Sequence, residues 1–525
     1  MKHAGSRSNA HSGAPAPSSA RQRTGARMRG MTLVAVILGF ALAATALAQT
    51  LTVAISEGMP GFDPGANNRT VASQVYPNIF DTLVAKNGAG ELIPSLATSW
   101  ESAGPTSWRL QLRDDVTWHD GQPFTAADVE FTIERIATTP ELARHVLFQG
   151  VTDVEVVNDH EVVIHTELAD PLMPNNLAAN GAQILPKHYV ESAGIDVASV
   201  TPIGTGPYRF VEYRPDDRLI LTAYADHWRG TAAYPDVVFR IIGENTTAVS
   251  ELITDGVQLS AVDAADRERV TDSGTATVVS TPTNRVVHWT FNTSEGLPTS
   301  DQRVREAIDL AIDDSVFVEV LQDGLGAVTR ARTGPGDNFA PSGLYGTFLY
   351  DPDRAVELLA EAGYGPGELE ITLMGGTEAN DRAELTSAML EAVGIVPSIE
   401  LFESSVWSSR YWNTGEFVHM AAVGSSNSTF DYGSTLTDLV CPSGVHSFRS
   451  HWCNEEFSAL VVEANSELDA ARRQQLLDQA TAILMTERPQ IYMYNTVNFL
   501  GIANSVAFTP RADGLLFMYD AAPAQ

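Results

Sequence analysis

Cys441, His446, His451 and Cys453 combine a zinc-type ligand set with compact spacing, and together they could hold a metal ion. The same two cysteines are the only ones in the chain, and in an oxidising compartment they could instead close a short loop as a disulfide. His119-Asp120 is a dipeptide seen in metal phosphohydrolases, but no partner residues accompany it. It sits in a turn that the Asp120-Gly121 pair explains by itself. Gly204, Gly206 and Pro207 in PIGTGPYRFVEY invite a phosphate-loop reading, yet no Lys-Ser or Lys-Thr follows and no helix begins there. These glycines read as a chain crossing between domains. With no Gly-x-Ser-x-Gly elbow, Walker loop or His-Glu-x-x-His helix in the sequence, neither an enzyme nor a bound cofactor is expected.

Length and charge set the frame around these residues. At 525 residues the chain implies two or three domains. The first 48 residues carry Lys2, Arg7, Arg21, Arg23, Arg27 and Arg29 without one acid, followed by MTLVAVILGFALAATALA. That pattern predicts a secretory signal peptide cleaved after Ala46-Leu47-Ala48, since the apolar run falls short of the ~20 residues of a spanning helix. Gln49 stands where a lipid-bearing cysteine would be, so a soluble periplasmic product is expected. Beyond residue 48 there are 27 basic against 65 acidic groups, a net charge near −38. Such a surface repels nucleic acid and anionic lipid.

The elements follow from periodicity. Trp108, Leu110 and Leu112 alternate with polar residues as in a half-buried strand, and Thr125 with Asp128 forms a capping box ahead of Val129, Ile133 and Ile136 at helical spacing. LTVAISEG predicts a strand ending at Ser56-Glu57-Gly58. A helix is expected over 70–83 from Val71, Val75, Ile79 and Leu83, and a hairpin over 151–168. A strand in NRVVHWTF points Val287, Trp289 and Phe291 the same way, and helices dominate from Asp301. There Val304, Ala307, Ile308, Ala311 and Ile312 recur at three and four, and Asp351-Pro352 opens a helix that Gly363 stops. LEITLMGG, TEANDRAELTSAMLEAVG and VPSIELFE read as strand, helix, strand, the order of a partly parallel α/β sheet.

The stretch from Ser99 to Ile136 resembles the signature of the extracellular solute-binding proteins of family 5, the peptide- and nickel-binding class that serves ABC importers. The resemblance continues in order through SEGMPGFDP, PSLATSW, PIGTGPYRF, RVREAIDLAID, YDPDRAVELLAEAGY and CPSG with WCNEEFSALVVEA. It implies an α/β, periplasmic binding protein type II-like fold, two lobes with a hinge and three domains: domain I over 49–80, 201–285 and 495–525, domain II over 81–200, and domain III over 286–494, with the hinge crossing near Asn284 to Asp301.

The resemblance also implies a function: a monomeric periplasmic protein that binds di- or oligopeptides or amino-acid conjugates and passes them to permease subunits in the inner membrane. The ligand is expected between domains I and III, where Ser56, Glu57 and Gly58 match a cleft-lining segment. In VGSSNSTFDYGSTLTDLVC, Asp431 matches the acid that anchors a ligand amine, with Asn427 and Ser428 in the same loop. Serines stand there where relatives are often richer in aspartate, which leaves room for a hydroxyl-rich or otherwise polar ligand. Arg382 lies one position from an arginine that dipeptide binders use for the carboxylate, and Trp407, with Tyr411 and Trp412, could stack on ligand groups. Relatives often carry a cysteine pair at the place of Cys441 and Cys453, which favours the disulfide over zinc. A sugar or opine binder is the alternative within the family, and an exported hydrolase the alternative outside it.

Overall fold

Thr125 and Asp128 close the capping box that their spacing predicts. In the computed structural model, which describes residues 50–67, 69–88, 90–334, 336–427 and 429–524, the Thr125 amide donates to Asp128 Oδ2 at 2.9 Å and a helix runs over Ala126–Thr138. Val129, Ile133 and Ile136 are buried in one core with Leu110, Trp118 and Ile164. That core includes an antiparallel sheet ordered Ala97–Gly104, Ser107–Leu112, Glu161–Thr166, Val151–Asn158. The segment expected to be a signal peptide cleaved after Ala48 lies outside the described residues.

A second, larger sheet of 11 strands carries the rest of the architecture. At one end Leu369–Gly376 pairs in parallel with Ile395–Phe402 and with Met420–Ser425; at the other Leu51–Ile55 pairs in parallel with Asp236–Ile241. Between these ends lie two long antiparallel strands, Ala276–Phe291 and Gln490–Ala503. At ~3.3 Å per residue the first is roughly 50 Å long, more than one half of the molecule needs. Both run from one half into the other, and we call them the crossing strands. Their register is interrupted between Pro282 and Val286, which leaves Thr283, Asn284 and Arg285 out of the ladder.

Separate apolar cores flank that interruption. On one side Leu51, Val53, Tyr76, Tyr208 and Phe239 pack together; on the other Trp289, Phe291, Ile308, Leu358 and Ile371 do. The strand predicted from Asn284 thus begins earlier, at Ala276, because its first half completes the ladder with residues 497–503. The helix expected over 70–83 spans Thr70–Ile79: Pro77 removes a donor from its last turn, and Leu83 is buried in the four-stranded-sheet core. The helical run from Asp301 divides into Gln302–Ala311 and Asp314–Leu321, with Asp313 capping the second through Ser315 N at 3.0 Å. Among the described residues no helix is long and apolar enough to cross a membrane.

The glycines of PIGTGPYRF answer a steric demand. A Cβ on Gly204 would lie 1.8 Å from the Ile79 carbonyl oxygen, and Gly206 donates its own amide to that oxygen at 2.9 Å. His119 fastens the same crossing from the opposite side: its Nδ1 accepts from Gly204 N at 3.2 Å and its Nε2–H donates to Gly206 O at 2.9 Å. Both bonds suit a neutral ring, and burial accordingly pulls its pKa down to about 4. Gly204→Ala is expected to lower stability by about 2 kcal/mol, since backbone faces backbone and neither can retreat; an unchanged urea midpoint would contradict this.

Candidate functional site

The ladder interruption opens onto a cavity of about 1060 Å³ that lies along the crossing strands and is walled by both halves. Thr283, Asn284 and Arg285 line it from the first crossing strand, and Thr496 to Leu500 from the second. Ser56, at the end of the strand Leu51–Ile55, and Gln74, on the helix Thr70–Ile79, face it from one half. Ser426, Asn427 and Phe430 face it from the other. The halves also touch beside the cavity: Asn175 Nδ2 donates to Thr429 O at 2.8 Å, and Lys86 Nζ stands 4.9 Å from the Phe430 ring centre. Burial pulls the Lys86 ammonium down to about 8.

A polar network fixes the far wall. Asn427 Nδ2 donates to Asp337 Oδ1 and to Asp431 O, each at 3.0 Å, while its Oδ1 accepts from Thr429 N at 3.2 Å. Asn284 Nδ2 reaches across from the crossing strand to Asn427 O. Burial raises the Asp337 carboxyl to about 7, partly offset by the amide of Gly334 and the side chains of Asn284 and Asn427. Behind this wall Asp431 and Arg473 form a two-pronged ion pair, Nη1 to Oδ2 at 2.6 Å and Nη2 to Oδ1 at 2.8 Å, with both side chains only 3% exposed.

The structure distributes the sequence-predicted residues unevenly. Ser56 and Asn427 line the cavity. Glu57 pairs with Arg69, and Gly58 lies against Tyr213, whose hydroxyl would be 2.7 Å from a Cβ there; neither is part of the lining. Ser428 lies outside the described residues. Three expectations need correction. Asp431 caps the helix Tyr432–Leu436 through Ser434 N at 3.1 Å and faces Arg473, so its carboxylate is spent inside the wall. Arg382 donates to Val423 O at 3.0 Å and lies 5.3 Å from the Trp289 ring centre, drawn there by the strand Met420–Ser425. Trp407 is buried between Phe402 and Tyr411, stacked on both, and serves as core.

Cys441 and Cys453 are joined as a disulfide, which removes both thiolates from the zinc set. Among the described residues no group of three or more His, Cys, Asp or Glu side chains is arranged to hold a metal ion. Sequence reasoning did not single out Arg285, Arg144 and Arg229, all of which line the cavity. For Arg285 a signal exists, a lone charge where an otherwise apolar strand begins at the expected hinge.

Comparison with known proteins gives one consistent result. Residues 91–444 match the model for bacterial extracellular solute-binding proteins, family 5. The chain is 27% identical to the dipeptide-binding protein of Escherichia coli K12, over 93% of this chain and 95% of that one. It is 26% identical to heme-binding protein A of Haemophilus influenzae, over 88% and 89%. Its fold matches the crystal structure of a dipeptide binding protein from Pseudoalteromonas sp. SM9913 in complex with Met-Leu, with a TM-score of 0.79 at 23% identity, covering 90% of this chain and 100% of that one.

Proposed function

Since the chain belongs to the bacterial extracellular solute-binding proteins of family 5, we propose that it captures a di- or oligopeptide, or an amino-acid conjugate, between its two halves and delivers it unaltered to an ABC permease in the inner membrane. The observation that carries this reading is the cavity itself, which lies along two crossing strands and takes its walls from both halves. Its volume sits at the top of the ~300–1,000 Å³ range of small-molecule sites, room enough for a short peptide. An interrupted two-strand crossing is a place where a few residues can absorb a change in backbone angle, as hinge closure requires.

In this reading the mature protein begins after Ala48, is periplasmic and works as a monomer. The separate cores support the division into domain I (49–80, 201–285 and 495–525), domain II (81–200) and domain III (286–494). Ser56 and Asn427 touch the solute. Glu57 and Gly58 shape the strand end beside it, and Asp431 holds Asn427 through its carbonyl. Relatives whose names carry dipeptide binding favour peptides over sugars as the guest.

The test is X-ray scattering of the solute-stripped protein, with calorimetry, against a dipeptide and tripeptide library. Binding should lower the radius of gyration, and the peptide should be recovered intact. Absence of contraction with every peptide, or recovery of cleaved peptide, would sink the proposal.

A further inference from the structure

Beyond residue 48 the chain carries more than two acids for every base, but the cavity reverses that balance. Its lining holds Lys86, Arg144, Arg229, Arg285 and Arg511 against Asp81, Asp263, Asp513 and Asp520. Three of the acids are engaged by neighbours. Asp513 grips Arg511 Nη2 at 2.6 Å, Asp81 accepts from Thr205 Oγ1 at 3.0 Å and Trp228 Nε1 at 3.1 Å, and Asp263 accepts from Asn245. The fourth, Asp520, faces Arg511 and Arg229, whose charges oppose the upward pull of burial on its carboxyl. Of the cations, Arg511 is held by Asp513, Lys86 lies over the Phe430 ring, and Arg229 lies over the rings of Trp228 and Phe517. Among the described residues Arg144, Arg229 and Arg285 have no ion pair, and Arg144 Nε is buried without a hydrogen-bond partner.

Arg285 is the best placed of the three. It stands in the ladder interruption, and its guanidinium rests against Gly424 of the neighbouring strand, where a Cβ would come within 2.7 Å of Nη2. Only a residue without a side chain leaves that resting place open. No side-chain hydrogen bond engages the Arg285 guanidinium among the described residues.

We propose that the cavity selects an anionic solute and that Arg285 is the residue that holds its carboxylate. This rests on the solute-capture reading above and names the chemical class that site takes. A planar guanidinium presents paired donors that match a carboxylate in two-pronged geometry. Burial of Arg285 disfavours its charge and lowers its pKa, with Glu378 offsetting part of that, and an anion beside the guanidinium acts in the same direction as Glu378. Arg144 and Arg229 extend the positive lining beyond the crossing strand. With Asp431 committed to Arg473, the far wall lines the cavity, among the described residues, with Ser426, Asn427 and the Phe430 ring, none of them anionic.

The experiment dialyses solute-stripped protein against a peptic casein digest mixed with aliphatic and sugar carboxylic acids, and identifies retained solutes by mass spectrometry. The wild type should enrich net-negative over net-positive solutes at least tenfold. Arg285→Gln should lose that preference, Arg285→Lys should keep part of it, and Gly424→Ala, whose methyl takes the guanidinium's place, should lower it. Circular dichroism establishes that each variant is folded. Equal retention of positive and negative solutes, an undiminished preference in folded Arg285→Gln, or retention of nothing overturns the inference. Retention of neutral and cationic peptides defeats this inference and spares peptide capture, whereas retention of non-peptide acids alone defeats peptide capture and spares this inference.

Discussion

Arg473→Met is expected to destabilise the protein by about 3–5 kcal/mol, the cost of leaving a buried carboxylate without its counter-charge. Asp431 and Arg473 lie 42 residues apart in sequence, are almost fully buried, and meet through two parallel hydrogen bonds. Arg473 also donates to Ala464 O at 3.0 Å, and its guanidinium lies 4.5 Å from the Phe339 ring centre, so a methionine replaces bulk but none of the polar contacts. The urea midpoint reads the loss, and a drop of less than 1 kcal/mol would show that the pair matters little. Asp431→Asn in the Arg473→Met background should recover part of the loss, because the second change removes the stranded charge. Neither residue faces the cavity, so this result separates a wall support from a solute contact.

Replacing Cys441 and Cys453 by serine should remove about 3 kcal/mol, the loop-closure value for a bridge spanning this separation of 12 residues. The bridge closes a segment containing the helix Val445–Ser450, whose Arg449 donates to Tyr411 O at 2.6 Å. Trp452, beside the second cysteine, packs edge-on against Phe457, 5.2 Å between ring centres, and its indole donates to Glu487 at 2.6 Å. Those contacts persist without the bond, so the double-serine protein should fold with a lowered urea midpoint. An unchanged midpoint would mean that its unfolded chain is already confined by other means.

What could be read from the sequence was local. The Thr125–Asp128 box, the Asp351 cap donated to by Arg354 N at 3.0 Å, and the alternation of Val287, Trp289 and Phe291 each involve residues a few positions apart, and each stands as predicted. The family resemblance supplied the global class. Neither source could show that Ala276 pairs with Ala503, because strand partners over two hundred residues apart leave no local periodic trace. The same limit governs the site. An aspartate in a polar loop looks alike whether it faces a guest or an arginine further along the chain. Arg382 and Trp407 were attractive by residue type, yet a carbonyl and two aromatic rings claim them. The lone charge of Arg285 is visible in the sequence, but its place on the cavity follows only from the interruption between Pro282 and Val286.

The two crossing strands have one more consequence. Since each half borrows part of both, neither can be excised as a self-sufficient fragment: a cut at the interruption would strand half-length edges with unpaired amides on both products. A gene split at 285 would therefore have to reassemble its pieces before either became native.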